Sequence, residues 1–226
     1  MNPCGDDPSP PEAKPVADER IDLYEMYREE YAAPLEPRLI RCLKSTFLTI
    51  AGTGSARTES FRDRMRVLYG VAHSIRKTKK KPGPDFKICR VEALWWGQNE
   101  GEEFSLEPAG AWKWKLMLRV PYTVHERDRL AIVLAKIEDG KDASVYNAVD
   151  LEVIREGLCV QMLHEGPYKT ERETIEKMKA LADEKDLTLH GALHEIYLSD
   201  PHRKGRHHRR TILRIPVRSL SRPHSA

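Results

Sequence analysis

Apolar positions along this chain fall into the same order twice. A strand-like run, Phe47-Leu-Thr-Ile-Ala-Gly52, leads into a stretch from about Phe61 to Ile75. There Phe61, Met65, Leu68, Tyr69, Ala72 and Ile75 make one stripe at helical spacing. Strand-like runs from Phe86 to Trp96 and from Trp112 to Val120 follow. In the second half Leu158-Cys-Val-Gln-Met-Leu163 leads into a helical pattern from about Glu171 to Lys185, with Ile175, Met178, Leu181 and Ala182 as its buried face. Two more strand-like runs, Ala192 to Leu198 and Thr211 to Val217, complete it. A strand–helix–strand–strand unit used twice predicts an α+β fold. Its two halves would form a pseudo-twofold antiparallel sheet with helices on one side and a central ligand cleft between them.

The run Trp112-Lys-Trp-Lys-Leu-Met-Leu-Arg-Val120 alternates strictly. Trp112, Trp114, Leu116, Leu118 and Val120 share one face, Lys113, Lys115 and Arg119 the other, which predicts a strand with one wet face. Thr170-x-x-Glu173 carries the residue pattern of a capping box at the start of the second repeat helix. Thr123-x-x-Glu126 opens a further helical stretch through Leu130, Val133, Leu134 and Ile137, read as a connector between the repeats. A short helix is expected from Ile21 to Ala32, ending before Pro34. Residues 1–17, rich in proline and acids, are expected to be a mobile tail, and 219–226 a second one. Residues 18–218 then form a single domain whose repeats span about 44–121 and 155–218.

A chain of 226 residues fits that one-domain reading. Its net charge of +3, from 38 basic and 35 acidic residues, sets up no large field, so a nucleic-acid partner is not expected. The basic runs Arg76–Lys81 and His202–Arg210 lack the interleaved aromatics of a single-strand binder. His202, His207 and His208 have no cysteine or carboxylate beside them to complete a zinc site, so no metal is expected. No Gly-rich phosphate loop calls for an organic cofactor. No apolar run approaches the ~20 residues of a membrane span. Cys4, Cys42, Cys89 and Cys159 are widely spaced, and the N-terminus shows no secretion signal. The expectation is a cytoplasmic protein with free thiols and no membrane contact; its assembly is left open, a homodimer included.

Glu195 is the leading candidate for chemistry. Alternation in Leu193-His-Glu-Ile-Tyr-Leu198 puts it on one face with Leu193 and Tyr197. If that face looks inward, burial raises the carboxyl pKa and makes it a proton acceptor near neutral pH or an anchor for a cation. If it looks outward, Glu195 is a solvated strand residue. Val91-Glu-Ala-Leu-Trp-Trp96 occupies the matching strand of the first repeat, so Glu92 is set against Glu195 as a second carboxylate for the shared cleft. Trp96, Trp112 and Trp114 are candidate walls for a flat ligand, with ordinary core packing as the alternative. Only one of Trp95 and Trp96 is able to face the cleft. Gln161, His164 and Tyr168 complete the candidates, Tyr168 being returned to the strand end by the turn at Gly166-Pro167.

An ordered set of segments then resembles the GyrI-like small-molecule-binding family. They are Leu94-Trp-Trp96, Trp112-Lys-Trp-Lys-Leu-Met117, Glu156-Gly-Leu-Cys-Val-Gln161, His164-Glu-Gly-Pro-Tyr168, His194-Glu-Ile-Tyr-Leu-Ser-Asp-Pro201 and Thr211-Ile-Leu-Arg214. The likeness runs from about Tyr24 to Val217; Leu193 stands where a first His is common, and Val120 where a Gln often precedes the Pro. The resemblance implies the duplicated fold with its ligand cleft on the pseudo-twofold axis. In related effector-binding modules of transcription regulators, a Glu at the position of Glu195 meets cationic aromatic drugs. With no room for a preceding helix-turn-helix domain, the chain resembles the stand-alone form. It is most similar to the branch that hydrolyses the cyclopropane of DNA-alkylating antibiotics. That implies a planar aromatic ligand stacked between Trp96 and Trp112 or Trp114, a water activated by Glu195, and Tyr197 or Tyr168 steadying the developing phenolate. The alternative is a non-catalytic protein that sequesters or senses such drugs.

Overall fold

A computed structural model describes residues 20–80, 84–97, 112–199 and 209–219. The expected tail at 1–17, Cys4, all of the expected tail at 219–226 but Ser219, and the part of the basic loop from His202 to His208 lie outside the described residues; Ser219 ends the last strand. Two four-residue helices, α1 (Leu23–Met26) and α2 (Arg28–Tyr31), stand where one short helix was expected; the chain breaks helical geometry at Tyr27. The first repeat is β1 (Arg38–Cys42), β2 (Ser45–Thr53), α3 (Glu59–Lys79), β3 (Glu92–Trp96) and β4 (Lys113–Val120). Helices α4 (Glu126–Glu138) and α5 (Ala143–Tyr146) connect it to the second. That repeat is β5 (Val149–Ile154), β6 (Gly157–Glu165), a 3₁₀ turn (Tyr168–Thr170), α6 (Glu171–Glu184), β7 (Leu187–Leu189), β8 (Leu193–Tyr197) and β9 (Arg210–Ser219).

The protein is α+β, with every strand pairing antiparallel in the order β1-β6-β9-β8-β3-β4-β2-β5 and β7 added on β9. Read from its centre, between β8 and β3, the order is a palindrome. Each repeat's first strand crosses to pair with the other repeat, β1 on β6 and β5 on β2. Sequence patterning showed neither swapped strand, because a short edge strand carries little periodicity.

Helix α3 is capped by Thr58, whose hydroxyl accepts the Phe61 N–H, and buries Phe61, Met65, Leu68, Val71, Ala72 and Ile75. Tyr69 lies at the rim of that stripe and accepts the Val91 N–H at 2.9 Å. Helix α6 buries Ile175, Met178 and Ala182. The expected capping box at Thr170 does not form: the preceding 3₁₀ turn draws the Thr170 hydroxyl to Pro167 O at 2.8 Å. On α4 the cap shifts from Thr123 to His125, whose N–H donates to Asp128 at 2.8 Å, and Leu130 and Leu134 are exposed. Both repeat helices cover one face of the sheet, α3 over β2 and β4, α6 over β6 and β7. The central strands β3 and β8 form a strip between them. Beneath α3 the packing leaves no slack, since a Cβ on Gly52 would stand 2.3 Å from the Trp114 ring.

The other face is wet only in part. Arg119 is 2% exposed, ion-paired with Glu30 at 2.8 Å and stacked over Tyr27 with 3.5 Å from guanidinium to ring centre. The segment from Leu23 to Tyr31 covers this face at Arg119, while Lys113 and Lys115 near the start of β4 are only half-buried, Lys115 paired with Glu152 at 2.8 Å.

Candidate functional site

Consecutive strand residues point to opposite faces, so His194 and Glu195 on β8 belong to two different clusters. On the face beneath α1 and α2, His194 is wholly buried between two carboxylates, with Nε2 2.9 Å from Glu92 and Nδ1 2.9 Å from Glu156. Tyr31 donates to the other oxygen of Glu92 at 2.7 Å. Arg214 donates to Glu156 at 2.9 Å, to Gln161 at 3.2 Å and to the Glu30 carbonyl at 2.5 Å. Gln161 in turn holds the carbonyls of Glu29 and Ala32. These groups fasten the N-terminal segment to the sheet.

Burial pulls the His194 pKa down, but the Glu156 charge and the hydrogen bonds to Glu156 and Glu92 outweigh it and carry it from 6.5 up to about 9. Burial likewise pushes Glu156 up, and His194 and Arg214 overcome it, holding the carboxyl at about 2. A raised folded-state pKa means that the His194 contribution is complete below pH 6.5 and disappears as pH rises through 9. Thermal unfolding should therefore show stability falling by roughly 3 kcal/mol across that window, at 1.36 kcal/mol per pKa unit. A flat profile between those values would show that His194 is not held as an imidazolium.

On the helix-covered face Glu195 pairs in register with Ala93 and Leu213, both core residues, and is 6% exposed. The Tyr197 hydroxyl donates to its Oε2 at 2.6 Å. Glu171, the first residue of α6, hydrogen-bonds to it carboxyl to carboxyl. Burial raises both acids. The Glu195 charge adds to the effect of burial on Glu171, while the hydrogen bonds from Tyr197 and Glu171 help Glu195 keep its charge. Glu171 therefore holds a proton and donates it toward a Glu195 carboxylate. Its Oε1 is buried and takes no hydrogen bond from a nitrogen or hydroxyl donor. The Trp95 indole N–H is also buried and stops short of hydrogen-bond geometry, yet lies near enough to favour the Glu195 charge. The 3₁₀ turn brings Tyr168 beside Tyr197, and the Arg209 guanidinium lies 4.9 Å from the Tyr168 ring centre. Gly166, at φ 140°, makes that turn possible. A polar pair charged once, inside an apolar wall of Trp95, Leu193 and Phe61, is an arrangement suited to placing and deprotonating a water.

Several sequence expectations need correction. Glu92 does not match Glu195: Ala93 is its ladder partner, and Glu92 faces the N-terminal segment. Gln161 belongs to that far-side network. His164 has both ring nitrogens engaged, Nδ1 with Thr174 at 2.9 Å and Nε2 with Pro167 O at 3.3 Å, and burial lowers its pKa. It braces the turn before α6. Trp96 alternates away from Glu195, and Trp95 stands on the Glu195 face and stacks on Phe61 at 5.6 Å. Trp114 is fully buried, edge-on to Phe61. Trp112 lies half-buried at the margin of the same core. The Tyr197 hydroxyl is committed to Glu195, which removes it as a donor to a phenolate. Sequence reasoning missed Glu171; the only signal was its place three residues after Tyr168 at a helix start.

Among the described residues no three His, Cys, Asp or Glu side chains are grouped to hold a metal. No described helix is long and apolar enough to cross a membrane. The basic stretch forms the last turn of α3, where Arg76 is paired with Asp85 and Lys79 with Asp128. Cys42, Cys89 and Cys159 are buried free thiols.

An antiparallel sheet folded as a palindrome, with an acid pair buried on its central strip, defines a small-molecule-binding module. Residues 95–218 match the GyrI-like small molecule binding domain, and the chain belongs to that family. Three solved structures from Listeria innocua are similar over 88% of this chain and 100% of their own. One, an uncharacterized conserved protein, is 30% identical with a TM-score of 0.78. The other two are described as hydrolases, at 28% and 29% identity with TM-scores of 0.76 and 0.77. No curated protein matches the chain.

Proposed function

We propose that the protein is a cytoplasmic hydrolase that takes a planar aromatic ligand over the central strip of the sheet and opens a strained cyclopropane with water. The Glu171–Glu195 pair is the observation that carries this reading. Glu195 accepts the proton of a water that also donates to the Glu171 carboxyl. The water oxygen bonds to the cyclopropane carbon, and the ring C–C bond breaks. Its electron pair passes through the conjugated ring to the carbonyl oxygen, which becomes a phenolate and takes a proton from solvent. Glu195 returns its proton to solvent, so the product is the ligand plus one water. Ring strain supplies the driving force, so no cofactor is required. DNA-alkylating antibiotics bearing such a ring are the proposed substrates, and detoxification the proposed role. The likeness to two proteins described as hydrolases supports this reading.

A non-catalytic binder that sequesters or senses such compounds is the second reading, favoured by the small-molecule-binding description of the family. The two separate in one experiment. Incubation with a cyclopropane-bearing alkylator, followed by mass spectrometry, should show gain of one water with the wild type and loss of that activity by about 10²–10⁴-fold in Glu195→Gln. Tight binding with no mass change in either protein would leave the binder.

A further inference from the structure

The site contains one cation that the proposed chemistry has not yet used. Arg209 immediately precedes β9, and its carbonyl accepts the Gly166 N–H at 3.0 Å, which ties it to the turn that carries Tyr168. Its guanidinium lies over the Tyr168 ring at 4.9 Å, and its Nε is buried with no hydrogen-bond partner. Leaving a buried donor unsatisfied forfeits its hydration with nothing in return, so such a group marks a place where a partner is expected. Its charge reaches Glu171, whose pKa it lowers against the larger effect of burial.

We propose that Arg209 is the ligand-contacting cation of this site: it donates a hydrogen bond to an oxygen acceptor on a neutral ligand and so selects conjugated carbonyl compounds over cations. The charge count supports this. The two glutamates share one proton and carry one negative charge, and Arg209 offsets it. A cationic ligand therefore finds no uncompensated carboxylate. A neutral molecule with a carbonyl oxygen instead satisfies the orphan N–H, and the bond strengthens as that oxygen gains charge. Arg209 thereby takes the role that the Tyr197 hydroxyl is not free to fill. The inference rests on the proposed ligand site but not on turnover.

The test uses the full chain with Arg209→Met, which keeps an apolar stem over Tyr168, and Arg209→Lys, which keeps the charge. Three probes are needed. Dimethyl cyclohexadienone carries the carbonyl without a strained ring, ethidium is a planar aromatic cation, and the spirocyclopropyl cyclohexadienone reports turnover. The wild type should bind the dienone more tightly than ethidium. Arg209→Met should weaken dienone binding about 10-fold or more, as for loss of a charged hydrogen bond. It should leave ethidium binding equal or stronger, which also shows that the variant is folded. Turnover should fall about 100-fold in kcat, the scale of losing one oxyanion donor, with partial recovery in Arg209→Lys. Equal losses for both ligands, or unchanged dienone affinity, overturn the assignment. Selective loss of dienone binding without turnover in the wild type retains Arg209 and discards the hydrolase. Undiminished ring opening in Arg209→Met does the reverse.

Discussion

Arg214→Met is expected to lower folding stability by about 3–5 kcal/mol, the usual consequence of removing one partner from a buried ion pair. The side chain is 2% exposed, and three of its nitrogens are committed to Glu156, Gln161 and the Glu30 carbonyl. Methionine fills the stem volume, so the loss is electrostatic rather than a cavity. Glu156 would be left with His194 alone, and the segment bearing Glu30 would lose an anchor. For a chain of this size the melting temperature should drop by about 6–20 °C. The double variant Arg214→Met/Glu156→Gln should recover part of it, because the carboxylate left short of charge compensation is then gone. A loss below about 1 kcal/mol in the single variant would mean that Glu156 finds water instead, and that the network is not sealed.

Glu171→Leu is expected to cut kcat by about 100-fold or more in the proposed hydrolysis, while Glu171→Gln retains most of it. Leucine removes both the donor that helps Glu195 stay ionised and the carboxyl acceptor that would hold the water. Glutamine keeps a donor and an acceptor in the same shape. The sign of the pH effect follows. Burial raises the Glu195 pKa above 4.5 and the Glu171 hydrogen bond lowers it, so taking that bond away moves it further up. The acid limb of the pH–rate profile should shift to higher pH in Glu171→Leu and stay near its place in Glu171→Gln. A purely structural role for Glu171 would change the melting temperature without moving that limb.

The repeat, both long helices and the six strands belonging to the duplicated units were legible because periodicity is a local property: a helix stripe or an alternating strand is written in residues a few positions apart. Glu195 was legible for the same reason, since its face follows from Leu193 and Tyr197. Glu92 was misassigned because the pattern of the two strands leaves their register free by one residue, and one residue reverses the face. Trp95 and Trp96 changed places by the same slip. Gln161 sits on the odd positions of β6 with Leu163, facing the N-terminal segment, and nothing local to it predicts that a segment 130 residues earlier would lie there.

By itself, then, the sequence determined the class of fold, the two repeats, the helix stripes and the presence of an inward carboxylate on β8. Each depends on spacing along the chain. Tertiary structure alone decided that β1 and β5 are exchanged between the halves, that the N-terminal segment buries Arg119 of β4, and that Glu171 rather than Glu92 is the partner of Glu195. Those outcomes depend on which surfaces meet after the chain has folded back on itself. Burial then sets the chemistry: the same His, Glu and Arg side chains would be ordinary solvated groups in an open strand, and their altered proton affinities arise only where water is excluded.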